Sequence, residues 1–190
     1  MDIWGPLAIT STFGFKYFLT IVDDKSRFTW VYLMKLKSET AYIIKSFVNL
    51  VQTQFNSKIK AIRTDNGQEF LLKDFYNATG ILHQTSYVST PQQNGIVERK
   101  HQHILGVARS LLFQANLPKS FWAHAIGHAI HIINRLHTPF FFYLKSVIFK
   151  LSMIVYQILV PSRCLVPYAL LLLFKTIDIN WIPGQENVFT

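Results

Sequence analysis

Apolar residues alternate with polar ones near the start of the chain and later recur with helical spacing. The runs YFLTIVD (17–23) and FTWVYLMK (28–35) are rich in β-branched and aromatic residues, and they flank the polar segment DKSR. This arrangement predicts a β-hairpin. Between residues 38 and 55 the apolar side chains follow a helical period, with Ser38 in the position of an N-cap. We therefore expect a hairpin followed by an amphipathic helix.

The middle of the chain predicts two further strands, and the segment after it predicts two further helices. KIKAIRT (58–64) and ILHQTSY (81–87) are short β-type runs, and the first of them ends directly before Asp65. Helical spacing of apolar residues then extends over 97–114 and over 120–136. Strands that enclose one helix and are followed by more helices indicate a mixed α/β domain.

The segment 140–190 departs from this pattern, because it is apolar almost throughout and contains few turn residues. A membrane span needs about 20 continuous apolar residues, and this segment is interrupted before it reaches that length. The interruptions are Lys150, Gln157, Pro161, Arg163 and Pro167. We interpret residues 1–139 as the folded domain and 140–190 as an apolar tail. Our hypothesis is that the chain is out of its ancestral reading frame after about residue 146.

Composition narrows the class of partner. The 190 residues are 50% hydrophobic, which is enough for one domain with a core. A formal net charge of +9 favours a polyanionic partner such as nucleic acid. Cys164 is the only cysteine, which excludes an intrachain disulfide and a CxxC metal or redox pair. Because no secretory signal precedes the first strand, we expect an intracellular protein.

Four of the acidic residues have simple structural explanations. Glu39 and Asp74 lie at predicted helix starts, where a carboxylate interacts favourably with the helix dipole. Asp23 and Asp24 lie in the predicted hairpin turn, where Asp is common. We therefore do not expect these four side chains to carry chemistry.

Three other carboxylates are candidates for chemistry. Asp65 ends a predicted strand and is followed by Asn66 and Gly67, which would place its carboxylate at an edge of the sheet. Glu98 lies in the first turns of a predicted helix and is followed directly by two cationic residues, and Asp2 begins the motif DIWGP. Carboxylates that hold divalent metal beside cations that contact phosphate are what a phosphodiester enzyme needs.

The histidines His124, His128 and His131 share one face of a predicted helix. Their spacing resembles that of metal ligands, but no Glu or Cys accompanies them as in HExxH. We interpret this face as packing or surface.

Five motifs now occur in one order along the chain: DIWGP, DDKSR, RTDNGQEF, PQQNGIVERKHQHI and NRLHTP. In this order they resemble the integrase catalytic core of copia-type retrotransposon polyproteins over about residues 1–146. The resemblance implies a ribonuclease H-like fold, in which helices flank a five-stranded mixed sheet, and DDE chemistry. It assigns Asp2, Asp65 and Glu98 as the catalytic and metal-binding triad, and it leaves Glu69 outside that triad.

The resemblance also implies the cofactor and the partners. Two Mg²⁺ or Mn²⁺ ions about 4 Å apart would activate an attacking oxygen and stabilise the leaving oxygen of a phosphodiester. The attacking oxygen is water in end-processing and a DNA 3′-hydroxyl in strand transfer. The side chains that we expect to contact DNA are those of Arg99, Lys100, Arg109, Lys119, Gln93 and Asn94. Element ends and target DNA are the expected partners, a homo-oligomer is compatible with the resemblance, and a small-molecule substrate is not expected. A functional protein of this kind would act in the nucleus.

Two departures from the family pattern lower the expected activity. The first strand is truncated ahead of Asp2, and the apolar tail replaces the continuation that the family would have after residue 146. We therefore expect weak or absent strand transfer by the isolated chain. Three alternatives stay open, namely a nuclease of the same fold, a non-catalytic nucleic-acid-binding relic, and a membrane-associated protein that uses the tail.

Overall fold

The computed structural model describes residues 1–85 and 95–135, which all belong to one compact unit, Met1–Leu151. Two predictions lie outside the described residues: the DNA contacts assigned to Gln93 and Asn94, and the tail at 140–190. Within the described ranges, no helix is long and apolar enough to cross a membrane.

The described residues form five strands in two sheets. The strands are β1 (Asp2–Trp4), β2 (Tyr17–Val22), β3 (Thr29–Met34), β4 (Ala61–Thr64) and β5 (Leu82–Thr85). In the first sheet, β2 pairs antiparallel with both β1 and β3, and Asp2 lies opposite Thr20. In the second sheet, β4 and β5 pair in parallel.

Four helices accompany these strands. They are α1 (Thr40–Phe55), α2 (Lys73–Thr79), α3 (Gly95–Gln114) and α4 (Trp122–Arg135). Short 3₁₀ turns span Lys37–Glu39, Gln68–Phe70 and Lys119–Phe121. The order of strands and helices confirms the predicted mixed α/β domain.

The predicted hairpin is confirmed as β2 and β3. Its turn depends on Asp23, whose Oδ2 accepts hydrogen bonds from the backbone N–H of Ser26 at 2.7 Å and from the Ser26 hydroxyl at 2.6 Å. Arg27 adopts a φ of 58° in the same turn and pairs with Asp24 at 2.9 Å. The two aspartates therefore have the turn roles that the sequence predicts.

The prediction that Ser38 caps the first helix is wrong. Ser38 lies inside a 3₁₀ turn, and the residue that precedes α1 is Glu39. Glu39 Oε1 accepts the backbone N–H groups of Lys35 at 3.0 Å and Leu36 at 2.8 Å. The Glu39 carboxylate thus satisfies two backbone donors in the segment ahead of α1, and neither Ser38 nor Glu39 caps α1 through its side chain.

The core lies on both faces of β2. Leu19 and Ile21 point towards α1, where they pack against Ile44 and Phe47. Phe18 points to the opposite face and packs against α3 and α4. Because successive side chains of a strand alternate between its faces, this strand supplies apolar contacts to two layers of helices. The result is a helix, sheet and helix arrangement that leaves Asp2 and Thr20 on the side of α3.

The strands do not form the single five-stranded sheet that we expected. All three residues of β1 pair with β2, and no ladder joins β1 to β4 in the described residues. The two sheets meet instead through Met1, whose ammonium group donates a hydrogen bond to the carbonyl oxygen of Arg63 in β4.

Candidate active site

Asp2 is the central member of the site. Its side chain is 17% exposed, and it lies on the face of β1 that meets α3. Asp2 Oδ1 accepts the backbone N–H of Ile3 at 2.8 Å, and Oδ2 lies 3.4 Å from Nδ1 of His101. Each carboxylate oxygen therefore has a defined neighbour, and the side chain is anchored close to the helix that carries Glu98.

Asp65 follows directly after β4, as the sequence predicts. Its Oδ1 accepts the backbone N–H of Gly67 at 3.1 Å, which turns the chain out of the strand. A Cβ on Gly67 would lie 2.9 Å from Glu69 Cδ and 3.1 Å from Asp65 Oδ1. The glycine therefore leaves space beside the two carboxylates, and its φ of −60° is one that other residues also adopt.

Glu98 lies in the first turn of α3 and is exposed. One turn later the same helix buries His101 against β1 and β2. The helix thus brings an exposed carboxylate and a buried imidazole to the same end of the sheet. Glu69, by contrast, pairs with Lys37 at 3.2 Å, which gives it a separate surface role.

The electrostatics of Asp2 connect the three carboxylates. Burial raises the pKa of Asp2 to about 6, and the negative charge of Asp65 is the second largest cause. Glu98 also raises this pKa, whereas the Ile3 N–H and the Met1 ammonium oppose the rise. Asp65 and Glu98 therefore both contribute to the electrostatic environment of the Asp2 carboxylate.

The donor chemistry of this neighbourhood fits a divalent cation. Mg²⁺ and Mn²⁺ prefer oxygen ligands, and a positive charge would relieve the repulsion that Asp65 and Glu98 exert on the Asp2 carboxylate. The described residues nevertheless contain no group of three His, Cys, Asp or Glu side chains arranged to hold a metal ion. The charges of Asp65 and Glu98 favour a cation near Asp2. The described side chains do not by themselves form a complete ligand set.

His101 is a site residue that the sequence interpretation missed. Its side chain is 1% exposed, and its Nε2 lies 2.9 Å from the Thr20 hydroxyl. Burial lowers the pKa of His101 to about 4, with a smaller contribution from the Met1 ammonium. The imidazole is therefore neutral at pH 7, and its 3.4 Å approach to Asp2 is not an ion pair. The available signal was its position three residues after Glu98, which places both on one side of a helix.

The predicted DNA-contacting cations differ in how far they are exposed to solvent. Arg99 and Arg109 are exposed on α3, and Lys119 is exposed in the 3₁₀ turn before α4. Lys100 is half-buried and has an interaction partner. Three of the four cations are therefore accessible to a phosphate backbone.

The three α4 histidines were interpreted as packing or surface. The ring of His124 packs edge-on against Phe13 at 5.2 Å and lies 5.8 Å from the ring of Phe121. Burial lowers the pKa of His124, of His131 and, to about 4, of His128. The half-buried His124 with its aromatic neighbours agrees with a packing role, and the half-buried His131 contacts Arg135.

A cavity of about 440 Å³ lies beside the site but does not contain its carboxylates. Its lining comes from β2, α1 and β4 and includes Val22, Phe47 and Ile62. The side chains of Asp2, Asp65 and Glu98 are not among its walls. This cavity is therefore separate from the carboxylates of the candidate site.

Comparison with known proteins shows which proteins this chain resembles. Residues 1–91 match the family model of the integrase core domain. Carboxylates at the end of β4 and on β1 thus lie within the matched range, whereas Glu98 lies beyond it.

Curated relatives then specify the kind of integrase core. The chain is 41% identical over 137 residues to the Retrovirus-related Pol polyprotein from transposon TNT 1-94 of Nicotiana tabacum, which covers 70% of this chain and 10% of the polyprotein. It is 40% identical over 139 residues to the corresponding polyprotein from transposon RE2 of Arabidopsis thaliana, with coverage of 73% and 10%. The chain is therefore a relative of the integrase catalytic core of copia-type retrotransposon Pol polyproteins. It spans about a tenth of the length of these curated relatives.

A solved structure supports the fold. The chain is similar to one in a cryo-EM structure of the simian T-cell lymphotropic virus intasome in complex with PP2A regulatory subunit B56 gamma. The TM-score is 0.53 at 20% identity, and the match covers 72% of this chain and 49% of that chain. At this level of identity the similarity concerns the fold alone, and it agrees with the predicted ribonuclease H-like α/β architecture.

Proposed function

We propose that this chain is an integrase catalytic core that acts on DNA phosphodiesters with Mg²⁺ or Mn²⁺. The observation that carries the proposal is the raised pKa of Asp2, which burial raises most and to which the charges of Asp65 and Glu98 add. Carboxylates on β1, after β4 and on α3 would supply the oxygen ligands for such cations.

The residues of the chain divide the proposed work between them. Asp2, Asp65 and Glu98 would hold the metal ions, which in two-metal sites stabilise the attacking and leaving oxygens of an in-line displacement. The exposed Arg99, together with Arg109, would contact the phosphate backbone beside the carboxylates. End-processing and strand transfer of retrotransposon DNA are the reactions that this division of roles serves.

The proposed partners follow from charge and from the relatives. A net charge of +9 would draw DNA to the chain at long range. The viral relative of known structure is part of an intasome, which supports assembly of several copies on element ends and target DNA. Such a protein would work in the nucleus.

A metal-dependent DNA cleavage assay tests the catalytic proposal. The purified full chain is incubated with an oligonucleotide that carries the element end, with Mg²⁺, with Mn²⁺ or with EDTA. We expect metal-dependent nicking that falls at least about 100-fold in Asp65→Asn and Glu98→Gln, because each variant removes one ligand charge. Asp74→Asn is the matched control, since Asp74 is exposed on α2 and should retain full activity.

The products of the same assay separate integration from hydrolysis. Joining of the processed end to a second duplex indicates strand transfer, whereas cleavage without joining indicates a nuclease of the same fold. We expect joining by the isolated chain to be weak or absent. Efficient joining that disappears in Asp65→Asn would show that the expectation of weak joining is wrong.

A non-catalytic nucleic-acid-binding function is the second candidate. It is favoured by one observation, namely that the described residues contain no three-ligand metal group. A purely electrostatic binder would lose affinity with a slope of about −0.9 in log K against log salt for each phosphate contact. We expect Arg109→Gln and Lys119→Gln each to reduce this slope by about 1, with Lys73→Gln on α2 as the control. If Asp65→Asn and Glu98→Gln bind DNA normally and the wild-type chain never cleaves it, the second candidate replaces the first.

A further inference from the structure

The environment of His101 contains more polar chemistry than packing requires. The imidazole is enclosed by Trp4 and Phe18, whose rings meet it edge-on with centroid distances of 5.5 Å. Within this apolar enclosure its Nε2 lies 2.9 Å from the Thr20 hydroxyl, and its Nδ1 lies 3.4 Å from Asp2 Oδ2. Thr20 is fully buried and lies directly opposite Asp2 in the β1 and β2 register. The three polar side chains therefore form one closed cluster across two strands and a helix.

The contacts determine which nitrogen of the ring carries the hydrogen. Among the described residues, no acceptor meets Nδ1 of His101 in good hydrogen-bonding geometry, and the nearest charged group is the Asp2 carboxylate. An ionised carboxylate only accepts hydrogen bonds, so a bare lone pair on Nδ1 would face it unfavourably. The hydrogen therefore belongs on Nδ1, which leaves Nε2 to accept the hydrogen bond donated by the Thr20 hydroxyl.

We propose that His101 is a positioning residue for Asp2, with Thr20 fixing the Nδ1–H tautomer that faces the Asp2 carboxylate. This inference rests on the proposed function, because Asp2 is one of its metal ligands. His101 would orient Oδ2 while the Ile3 N–H orients Oδ1, so the carboxylate plane is set before any cation binds. Shortening the Nδ1 to Oδ2 distance by a few tenths of an ångström brings the pair into the ordinary hydrogen-bond range of about 2.7–3.2 Å.

A spectroscopic test addresses the tautomer directly. The full chain is labelled with ¹⁵N-histidine, and the two ring nitrogens are observed by long-range ¹H–¹⁵N correlation at pH 7.5. The His101 signals are assigned from their absence in His101→Asn. We expect a protonated Nδ1 and an unprotonated Nε2 in the wild-type chain, and loss of this fixed tautomer in Thr20→Val, which keeps the shape but removes the hydroxyl. An Nε2–H tautomer in the wild-type chain would contradict the inference.

Two substitutions of His101 separate positioning from packing. The amide nitrogen of His101→Asn can occupy the place of Nδ1, whereas that of His101→Gln reaches towards the place of Nε2. Mn²⁺ affinity is measured by the paramagnetic signal of free Mn²⁺. We expect His101→Asn to stay within about threefold of the wild type and His101→Gln to weaken binding by about 10-fold or more, as is typical when the partner of a ligand is lost. His103→Gln, exposed on the same helix, is the control.

The outcomes distinguish this inference from the proposed function. Equal Mn²⁺ affinities of His101→Asn and His101→Gln, both folded by circular dichroism, would overturn the positioning role. Failure of the wild-type chain to bind Mn²⁺ would contradict the proposed function, and the tautomer measurement would then decide the His101 contact by itself. If both His101 variants fail to fold, Thr20→Val provides the same comparison, since it changes the tautomer without touching the imidazole.

Discussion

At the scale of single residues, the candidate site depends on how each carboxylate is restrained. Asp2 and Asp65 each use one oxygen to accept a backbone N–H, from Ile3 and from Gly67 respectively. A backbone donor fixes a side chain more firmly than solvent does, and it leaves the second oxygen for another partner. A backbone N–H therefore restrains one oxygen of each aspartate, which suits groups that must be in place before a ligand arrives.

Gly67→Ala tests this restraint at Asp65. The new Cβ would lie 3.1 Å from Asp65 Oδ1 and 2.9 Å from Glu69 Cδ, so both side chains must shift. We expect Mn²⁺ affinity to fall about fivefold, which corresponds to about 1 kcal/mol for one perturbed hydrogen bond. The control Glu69→Gln removes the ion pair with Lys37 but leaves Asp65 in place, and it should leave the affinity unchanged. An equal loss in both variants would show that Glu69 and not Asp65 is the sensitive group.

At the scale of elements, α3 has the largest share of the proposed chemistry. One face of this helix packs Ile104 and Ala108 against the core, and its first turns bring Glu98 and His101 to the end of the sheet. The positions of Glu98 and His101 therefore depend on the stability of α3. Gly106 is exposed near its middle, where a glycine weakens a helix without a packing benefit.

Gly106→Ala should therefore stabilise the chain. A Cβ at this position would meet nothing within 4 Å, so the variant gains helix propensity without a clash. We expect the free energy of unfolding to rise by about 0.5–1 kcal/mol in urea denaturation. Gly80→Ala is the matched comparison, because its Cβ would also have open space but its φ is +68°. That variant should lose about 1 kcal/mol, and stabilisation in both would mean that backbone conformation is not the deciding factor.

The elements also show what the sequence can predict. Alternation and turn residues were enough to predict the β2 and β3 hairpin, because Asp23 acts through neighbours a few residues away. Placement of Asp65 at the end of a strand was predictable for the same reason. The role of His101 was not predictable in this way, because its contacts are to Thr20, 81 residues away, and to Asp2. The helical period shows that a face is apolar, but not which strand that face will meet.

At the scale of the whole molecule, β2 organises two apolar layers and one polar site. Its side chains supply the core towards α1 on one face and towards α3 and α4 on the other. Thr20 interrupts the second face with a buried hydroxyl, and there the strand meets His101. Burying polar side chains between a helix and a sheet costs free energy unless they hydrogen-bond to each other, as Thr20 and His101 do. The fold therefore has a pH-sensitive region within its core as well as a site on its surface.

The free energy of unfolding should depend on pH because His101 and His128 are buried. Burial lowers the pKa of His101 and His128 to about 4, with neighbouring positive charges contributing, from about 6.5 in the unfolded chain. As pH falls from 6.5 to 4, the unfolded state therefore takes up protons that the folded state refuses, and the free energy of unfolding decreases. Each histidine contributes at most about 1.4 kcal/mol per pH unit in this window. Asp2 acts in the opposite direction below pH 6, because its pKa is raised on folding.

His128→Gln isolates one of these contributions, and urea denaturation between pH 7.5 and 4.5 measures it. The variant removes one proton-binding group, so its free energy of unfolding should decrease less steeply below pH 6.5 than that of the wild type. His103→Gln, exposed on α3, serves as the control and should parallel the wild type. The α4 histidine has other partners, so a constant offset between the curves is expected and only the difference in slope is diagnostic. Parallel curves for His128→Gln and the wild type would show that His128 is already accessible to protons in the folded chain.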